Sequence, residues 1–318
     1  MRQYVVKRVL LYFPTLVLIS VLVFLLMRVI PGDPAIQLLA AGGDASYTEE
    51  ELAEKRADLG IDRPLPVQYA DWIWGMLQGD LGLALYYQRP VVEELSPRIP
   101  ITFEIAILAM IISIILAVPL GIVSAITQDS LFDYIGRGFT IFGISVPIFV
   151  TGIVSIYILA RVFNWLPPFG YAKLWEAPWE NIQQIFFPAL TLAIFQMNFT
   201  ARVTRSAMLE VLREDYIRTA HSKGLRERVV LVRHALKNAL LPIFGVAGWS
   251  LAILLGGSVI IEQIFVVPGL GRLLIESILQ RDYNLVQGVV MVFSVTVLTV
   301  NLVVDLALAW IDPRIRYG

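Results

Sequence analysis

Hydrophobic positions in this chain do not alternate with polar ones; they gather into long unbroken runs. Six stretches of 18 or more residues contain no Asp, Glu, Lys or Arg: 9–27, 105–128, 138–160, 181–201, 238–261 and 283–304. A bilayer core of about 30 Å takes roughly 20 residues of helix to cross. Backbone in lipid must satisfy its own hydrogen bonds, and continuous runs of this length do so as helices, not as barrel strands. The pattern predicts an all-α membrane protein with six transmembrane helices. The first run follows Arg2, Lys7 and Arg8 in the manner of a signal peptide. It is long for that role, and Met27-Arg28-Val29-Ile30-Pro31 offers no small-x-small cleavage site, so it counts as the first span.

The polar remainder gives direction. With the N-terminus inside, segments 1–8, 129–137, 202–237 and 305–318 hold 15 Lys and Arg in 67 positions, while 29–104, 161–180 and 262–282 hold 9 in 117. Basic residues are about three times denser on the inner side, as the positive-inside rule requires. Both termini are therefore expected in the cytoplasm. The segment 29–104 carries 13 acidic and 5 basic residues. Thr48 followed by Glu49, Glu50 and Glu51 reads as a helix N-cap with an acidic first turn, and 67–77 has helical apolar spacing around Trp72 and Trp74. A small ordered helical cap on the outer face is expected rather than a floppy acidic linker, because 59–85 is rich in aromatic and aliphatic residues.

Composition narrows the function classes. Of 318 residues, 57% are hydrophobic and only 16% charged, with mean hydropathy +0.72; a soluble domain carries roughly 25% charged residues. That excludes an ordinary soluble enzyme. The chain has no cysteine, which excludes disulfides, thiolate metal sites, iron–sulfur clusters and cysteine nucleophiles. His221 and His234 are the only histidines, and the net charge of −1 argues against nucleic acid as a partner.

The inner loop 202–237 reverses the outer one, with 9 basic and 4 acidic residues. Leu209, Leu212, Tyr216, Ile217 and Ala220 fall on one helical stripe, Arg213, Glu214, Arg218 and Lys223 on the other faces, and Gly224 reads as the residue that ends the helix. Pattern alone leaves three readings open: a helix on anionic lipid, a solvated connector, or a docking element for another protein.

At this loop the sequence resembles a known family. Asp215-Tyr216-Ile217-Arg218-Thr219-Ala220-His221-Ser222-Lys223-Gly224-Leu225, followed by Arg233-His234-Ala235-Leu236-Lys237-Asn238-Ala239-Leu240-Leu241-Pro242, resembles the cytoplasmic loop of binding-protein-dependent ABC importer permeases. Further segments are similar to the dipeptide/oligopeptide and nickel branch, first permease subunit. They are Pro31-Gly32-Asp33-Pro34, Leu59-Gly60-Ile61-Asp62-Arg63-Pro64-Leu65-Pro66-Val67-Gln68-Tyr69, Gly79-Asp80-Leu81-Gly82, Ser145-Val146-Pro147, Pro268-Gly269-Leu270-Gly271 and the terminal Asp312-Pro313-Arg314-Ile315-Arg316-Tyr317-Gly318. The family's Glu-Ala-Ala is Arg218-Thr219-Ala220 here, and its Leu-Pro is Leu236-Lys237 with a Leu-Pro at 241–242.

The resemblance implies a type I ABC importer transmembrane domain in the cytoplasmic (inner) membrane of a prokaryote. Its expected divisions are an N-terminal helix 1–28, an extracytoplasmic cap 29–98, the transmembrane domain 99–311 with coupling loop 202–237, and a cytoplasmic tail 312–318. The implied partners are a second homologous permease subunit, two ATPase subunits and an extracytoplasmic substrate-binding protein, in contact with membrane lipid. No Gly-x-x-x-x-Gly-Lys-Ser/Thr run is present, so no cofactor is expected in this chain, and ATP with its magnesium belongs to the ATPases. ATPase docking is expected through a coupling helix bearing Leu212, Tyr216, Arg218, Thr219, Ala220, Lys223 and Gly224. Among polar residues inside the spans, Ser145, Gln196, Asn198 and Asn301 are candidates for lining a pathway, against the alternative of packing between helices. Gln196 and Asn198, two apart, point to different faces. Asp305 is expected to pair with a nearby basic residue. The implied function is import of small peptides; nickel chelate and oligosaccharide remain open as cargo. A secondary transporter or channel acting alone should show charged coupling residues or an inverted repeat in its spans, and neither is seen. A membrane enzyme would need an acid–base pair or a nucleophile motif that the chain lacks.

Overall fold

A computed structural model describes residues 2–29, 33–41 and 47–311. Pro31 and Gly32 of the first motif and the tail 312–318 lie outside the described residues. In chain order the elements are α1 (Arg2–Val29), α2 (Pro34–Ala41), α3 (Glu49–Asp58), α4 (Leu65–Leu77), the two-residue strands β1 (Leu83–Ala84) and β2 (Arg89–Pro90), α5 (Val91–Leu95), α6 (Ile99–Ile126), α7 (Leu131–Ser145) and α8 (Ile148–Val162). Then follow α9 (Pro178–Leu212), α10 (Asp215–Ser222), the single turn α11 (Glu227–Val229), a π-helical stretch (Val230–Leu236), α12 (Lys237–Phe265), α13 (Leu270–Leu279) and α14 (Tyr283–Ile311). The strands pair antiparallel, Leu83 opposite Pro90 and Ala84 opposite Arg89.

Five helical stretches are long and apolar enough to cross a membrane, and two bent helix pairs raise the number to as many as seven. Two of these stretches, Glu227–Val246 and Trp249–Phe265, overlap the uninterrupted helix α12. Each of the six expected spans thus has a counterpart: α1, α6, the α7–α8 pair, α9, α12 and α14. The third departs from expectation. Run 138–160 is not one helix but two, bent by 103° at Val146–Pro147. Proline has no N–H and drives the residue before it out of the helical region; Val146 sits at φ −83°, ψ 121°, and the helix stops at Ser145. Pro14, Pro119, Pro188 and Pro242 are accommodated inside helices.

The chain divides into two compact units, Met1–Arg8, Phe103–Val267 and Thr299–Gly318 in one, Val9–Thr102 and Pro268–Leu298 in the other. The first is organised around α9, which packs against α7, α8 and α12. Helices in lipid gain little from hydrophobic transfer between themselves and rely on close van der Waals approach, which favours small residues at crossings. A Cβ on Gly121 of α6 would lie 2.6 Å from Cβ of Thr204 and 2.7 Å from the carbonyl oxygen of Ala201 on α9. One on Gly143 of α7 would overlap the Asn198 side chain.

The second unit is tied by longer side chains. Phe24 of α1 packs on Tyr69 and Trp72 of α4 at 5.5 and 5.9 Å between ring centroids, and the Ser20 and Tyr69 hydroxyls are 2.8 Å apart. Ala84, Val91 and Leu95 share a buried cluster with Leu270, Leu273, Leu285 and Val289. Helix α3 begins on Thr48, whose hydroxyl accepts from Glu51 N while the Glu51 carboxylate accepts from Thr48 N, a complete capping box.

Candidate docking surface and interhelical polar sites

The expected coupling helix is not a continuation of the preceding span. Helix α9 ends at Leu212, Glu214 is extended at φ −69°, ψ 146°, and α10 starts afresh at Asp215. Its end is a complete Schellman motif: Gly224 N donates to His221 O (2.9 Å) and Leu225 N to Ala220 O (3.4 Å), with Gly224 at φ +74°. That positive φ is the reason for glycine there.

The apolar stripe has a different destination from the one expected. Ile217 and Ala220 are 1% and 6% exposed and belong to a core with Ala207, Met208, Val230, Ala235 and Ala239, against which Leu209 and Leu212 also pack. The groove that receives the stripe is this chain's own, built by the end of α9, the π-helical stretch and the start of α12. Tyr216 lies at the edge, half exposed, its hydroxyl accepting from Asn238 Nδ2 at 2.7 Å. Arg218, Thr219, Lys223 and Gly224 face outward. Arg218 reaches Asp215 at 3.3 Å, and His221 Nε2 lies 2.9 Å from Glu227. What α10 presents to solvent is polar and charged, with Arg218 and Lys223 as its cations and Asp215 beside Arg218.

The pathway candidates separate. Gln196 is buried and its Nε2 donates to Ser250 Oγ on α12 at 2.6 Å. Asn198, also buried, faces Gly143 of α7 and donates to Ile194 O at 2.7 Å. The two point to different neighbours, as their spacing requires, and both fill helix crossings. Ser145 is exposed at the α7 end with its hydroxyl bonded to Ile141 O, and Asn301 is half buried on α14. Asp305 is paired, 2.9 Å from Arg8.

A buried charge cluster escaped the sequence reading. Asp133 in the first turn of α7 is fully buried; Arg205 of α9 donates to both its oxygens, Nε at 2.8 Å and Nη2 at 2.6 Å, and Ser124 Oγ donates as well. Both residues lie outside the uncharged runs and so counted only as loop charges. Their separation by 72 positions carries no local signal. At another loop, Tyr171 OH donates to Glu104 at 2.7 Å, and burial together with that carboxylate pushes the phenol up. Among the described residues no three acidic, histidine or cysteine side chains gather into a metal site.

Comparison with known proteins decides what this arrangement belongs to. Residues 117–317 match the family described as binding-protein-dependent transport system inner membrane component, and residues 1–106 match its N-terminal membrane component. The chain belongs to this family. Within it, a Brucella abortus (strain 2308) protein named as a peptide transport system permease is 40% identical over 317 residues, covering 100% of both chains. The glutathione transport system permease protein of Pectobacterium atrosepticum is also 40% identical over 317 residues, again with 100% of each chain covered. The dipeptide transport system permease protein of Alkalihalophilus pseudofirmus is 38% identical over 337 residues and 100% of each. A crystal structure of an amino acid ABC transporter with histidines shares the fold at TM-score 0.52 and 17% identity, covering 68% of this chain and 92% of that one. The permease is therefore a multi-pass membrane component with a type I ABC importer transmembrane domain, and not an enzyme.

Proposed function

We propose that this permease carries small peptides across the inner membrane by alternating access, driven by ATP hydrolysis on partner chains. It pairs with a second, homologous permease; two ATPases holding ATP and magnesium dock below, and a substrate-binding protein delivers cargo from outside. Both termini and the tail 312–318 are cytoplasmic, 29–98 forms the outer cap and 99–311 the transmembrane domain. The names of its relatives support the peptide cargo.

The observation that carries the coupling role is that α10 is clamped from within and polar without. Ile217 and Ala220 lock the helix to α9 and α12, so a push on its outer face is transmitted to two spans. Tyr216, Arg218, Thr219, Lys223 and Gly224 form the face that meets the ATPase, the cations steering toward acidic rims. Ser145 and Asn301, on exposed or half-exposed positions, are the residues to test in the pathway, whereas Gln196 and Asn198 set helix spacing.

Reversing charge on the outer face, Arg218→Glu with Lys223→Glu, should leave the permease inserted and its thermal stability unchanged, because neither side chain is buried. ATP-driven uptake by the reconstituted complex should fall at least about tenfold as the ATPase is lost. Wild-type uptake and ATPase co-purification in that variant would overturn the docking assignment.

A further inference from the structure

The second unit contains a cavity of about 290 Å³ between the end of α1, the α3–α4 region and the start of α14. It is unlike the apolar crossings elsewhere because its wall carries a buried hydrogen-bonding group without a partner. Gln287 of α14 is 2% exposed, borders the cavity, and among the described residues its Nε2 has no acceptor. Arg28 spends Nε and Nη2 on Gln68 Oε1, at 3.1 and 2.9 Å, and among the described residues no carboxylate lies within 4.0 Å of it. Buried donors left unmet are expensive, and natural proteins retain them where something else meets them. Here an amide N–H and the remaining guanidinium N–H groups both ask for an acceptor, which a carboxylate supplies best. The same cavity is bordered by Asp80, which has no cationic partner among the described residues, and by Trp72.

We propose that this cavity binds a small zwitterionic peptide, its terminal carboxylate received by Arg28 and Gln287, its ammonium by Asp80, and a side chain by Trp72. The volume is that of a small-ligand site and excludes a folded partner. On the reading of function above, on which this inference rests, the cavity lies on the outer side and receives cargo before the pathway opens.

The test uses the assembled permease–ATPase complex in nanodiscs without binding protein, titrated with L-alanyl-L-alanine and with its C-terminal amide, following intrinsic tryptophan fluorescence. The free acid should change the signal, Trp72→Phe should abolish the change, and the amide should bind about tenfold more weakly. Gln287→Met separates a binding role from a structural one. Removing an unmet buried donor should leave the melting temperature equal or higher, yet weaken dipeptide binding about tenfold; Arg28→Gln should weaken it similarly. Equal affinity for acid and amide, or wild-type binding by Gln287→Met, would overturn the site. ATP-driven uptake of the dipeptide by the complete system tells the two readings apart. No uptake at all overturns the peptide reading and the site with it, whereas normal uptake with unaltered variants overturns the site alone.

Discussion

Two aspartates among the described residues of this permease are fully buried and are held by opposite means. Asp133, in the unit built around α9, faces a cation: Arg205 grips both its oxygens in a fork, Ser124 adds a donor, and Arg137 stands 4.0 Å away. Asp282, in the other unit, meets backbone instead, accepting from Tyr86 N at 2.9 Å and Leu285 N at 3.2 Å. The first is an ion pair that joins two helices. The second is an anchor that fastens the β-hairpin segment to the turn before α14, across 196 positions of sequence. Burial pushes the Asp282 carboxyl up, against the pull of the N–H groups that it accepts from. Both burials cost desolvation; a charge paired with a charge has that cost offset by its partner's field, whereas a charge held by dipoles alone has only their weaker pull against it.

The largest effect is expected at Asp133. Asp133→Ala leaves Arg205 buried without its anion and should cost about 3–5 kcal/mol in reversible unfolding, with most recovered by adding Arg205→Met. A loss below about 1 kcal/mol, or no recovery in the double variant, would show that the pair is incidental. Next is Asp282→Asn, which keeps one acceptor and sets an NH2 against a backbone donor, at about 1–2 kcal/mol. It also sharpens the contrast through pH. A carboxyl whose value is raised by folding adds stability that is full below its ordinary value and is lost as pH rises through the raised one. The stability difference between wild type and Asp282→Asn should therefore shrink with rising pH across that window; a difference independent of pH would mean that Asp282 is not desolvated. The smallest effect falls on the capping box of α3. Glu51 is held below its usual range by the Thr48 N–H, the opposite sign, so its contribution is present above the ordinary value and is lost as pH falls. Thr48→Ala should fray only the first turn of α3, read as faster amide exchange at residues 49–52, whereas Glu51→Gln, which keeps an acceptor for the Thr48 N–H without the charge, should remove that acid sensitivity. Unchanged exchange there would sink the cap assignment.

Much of this permease was legible because its signals are local. An uncharged run longer than a bilayer is thick has one inexpensive conformation, so the spans were readable. Thr48 three residues before Glu51 states a capping box, and Gly224 after a short amphipathic run states a C-terminus. The break in the third span was half legible: Pro147 announces a helix boundary, but not whether the chain continues straight or turns by 103°. The stripe on α10 shows a subtler limit. Periodicity at Ile217 and Ala220 says that a face must be covered, not by what, and here Ala207, Met208 and Val230 cover it.

Composition and order of residues by themselves determined the membrane class, the six apolar runs, the asymmetry of charge and the termini of the short helices, since each follows from solvation or from hydrogen bonds within a few positions. Only the tertiary structure decided which charges are solvated and which are buried, which glycines lie under a neighbour, and that Gln287 with its unmet donor lines the same cavity as Arg28. Those facts depend on residues tens or hundreds of positions apart arriving within 3–5 Å, where desolvation and packing set the energies.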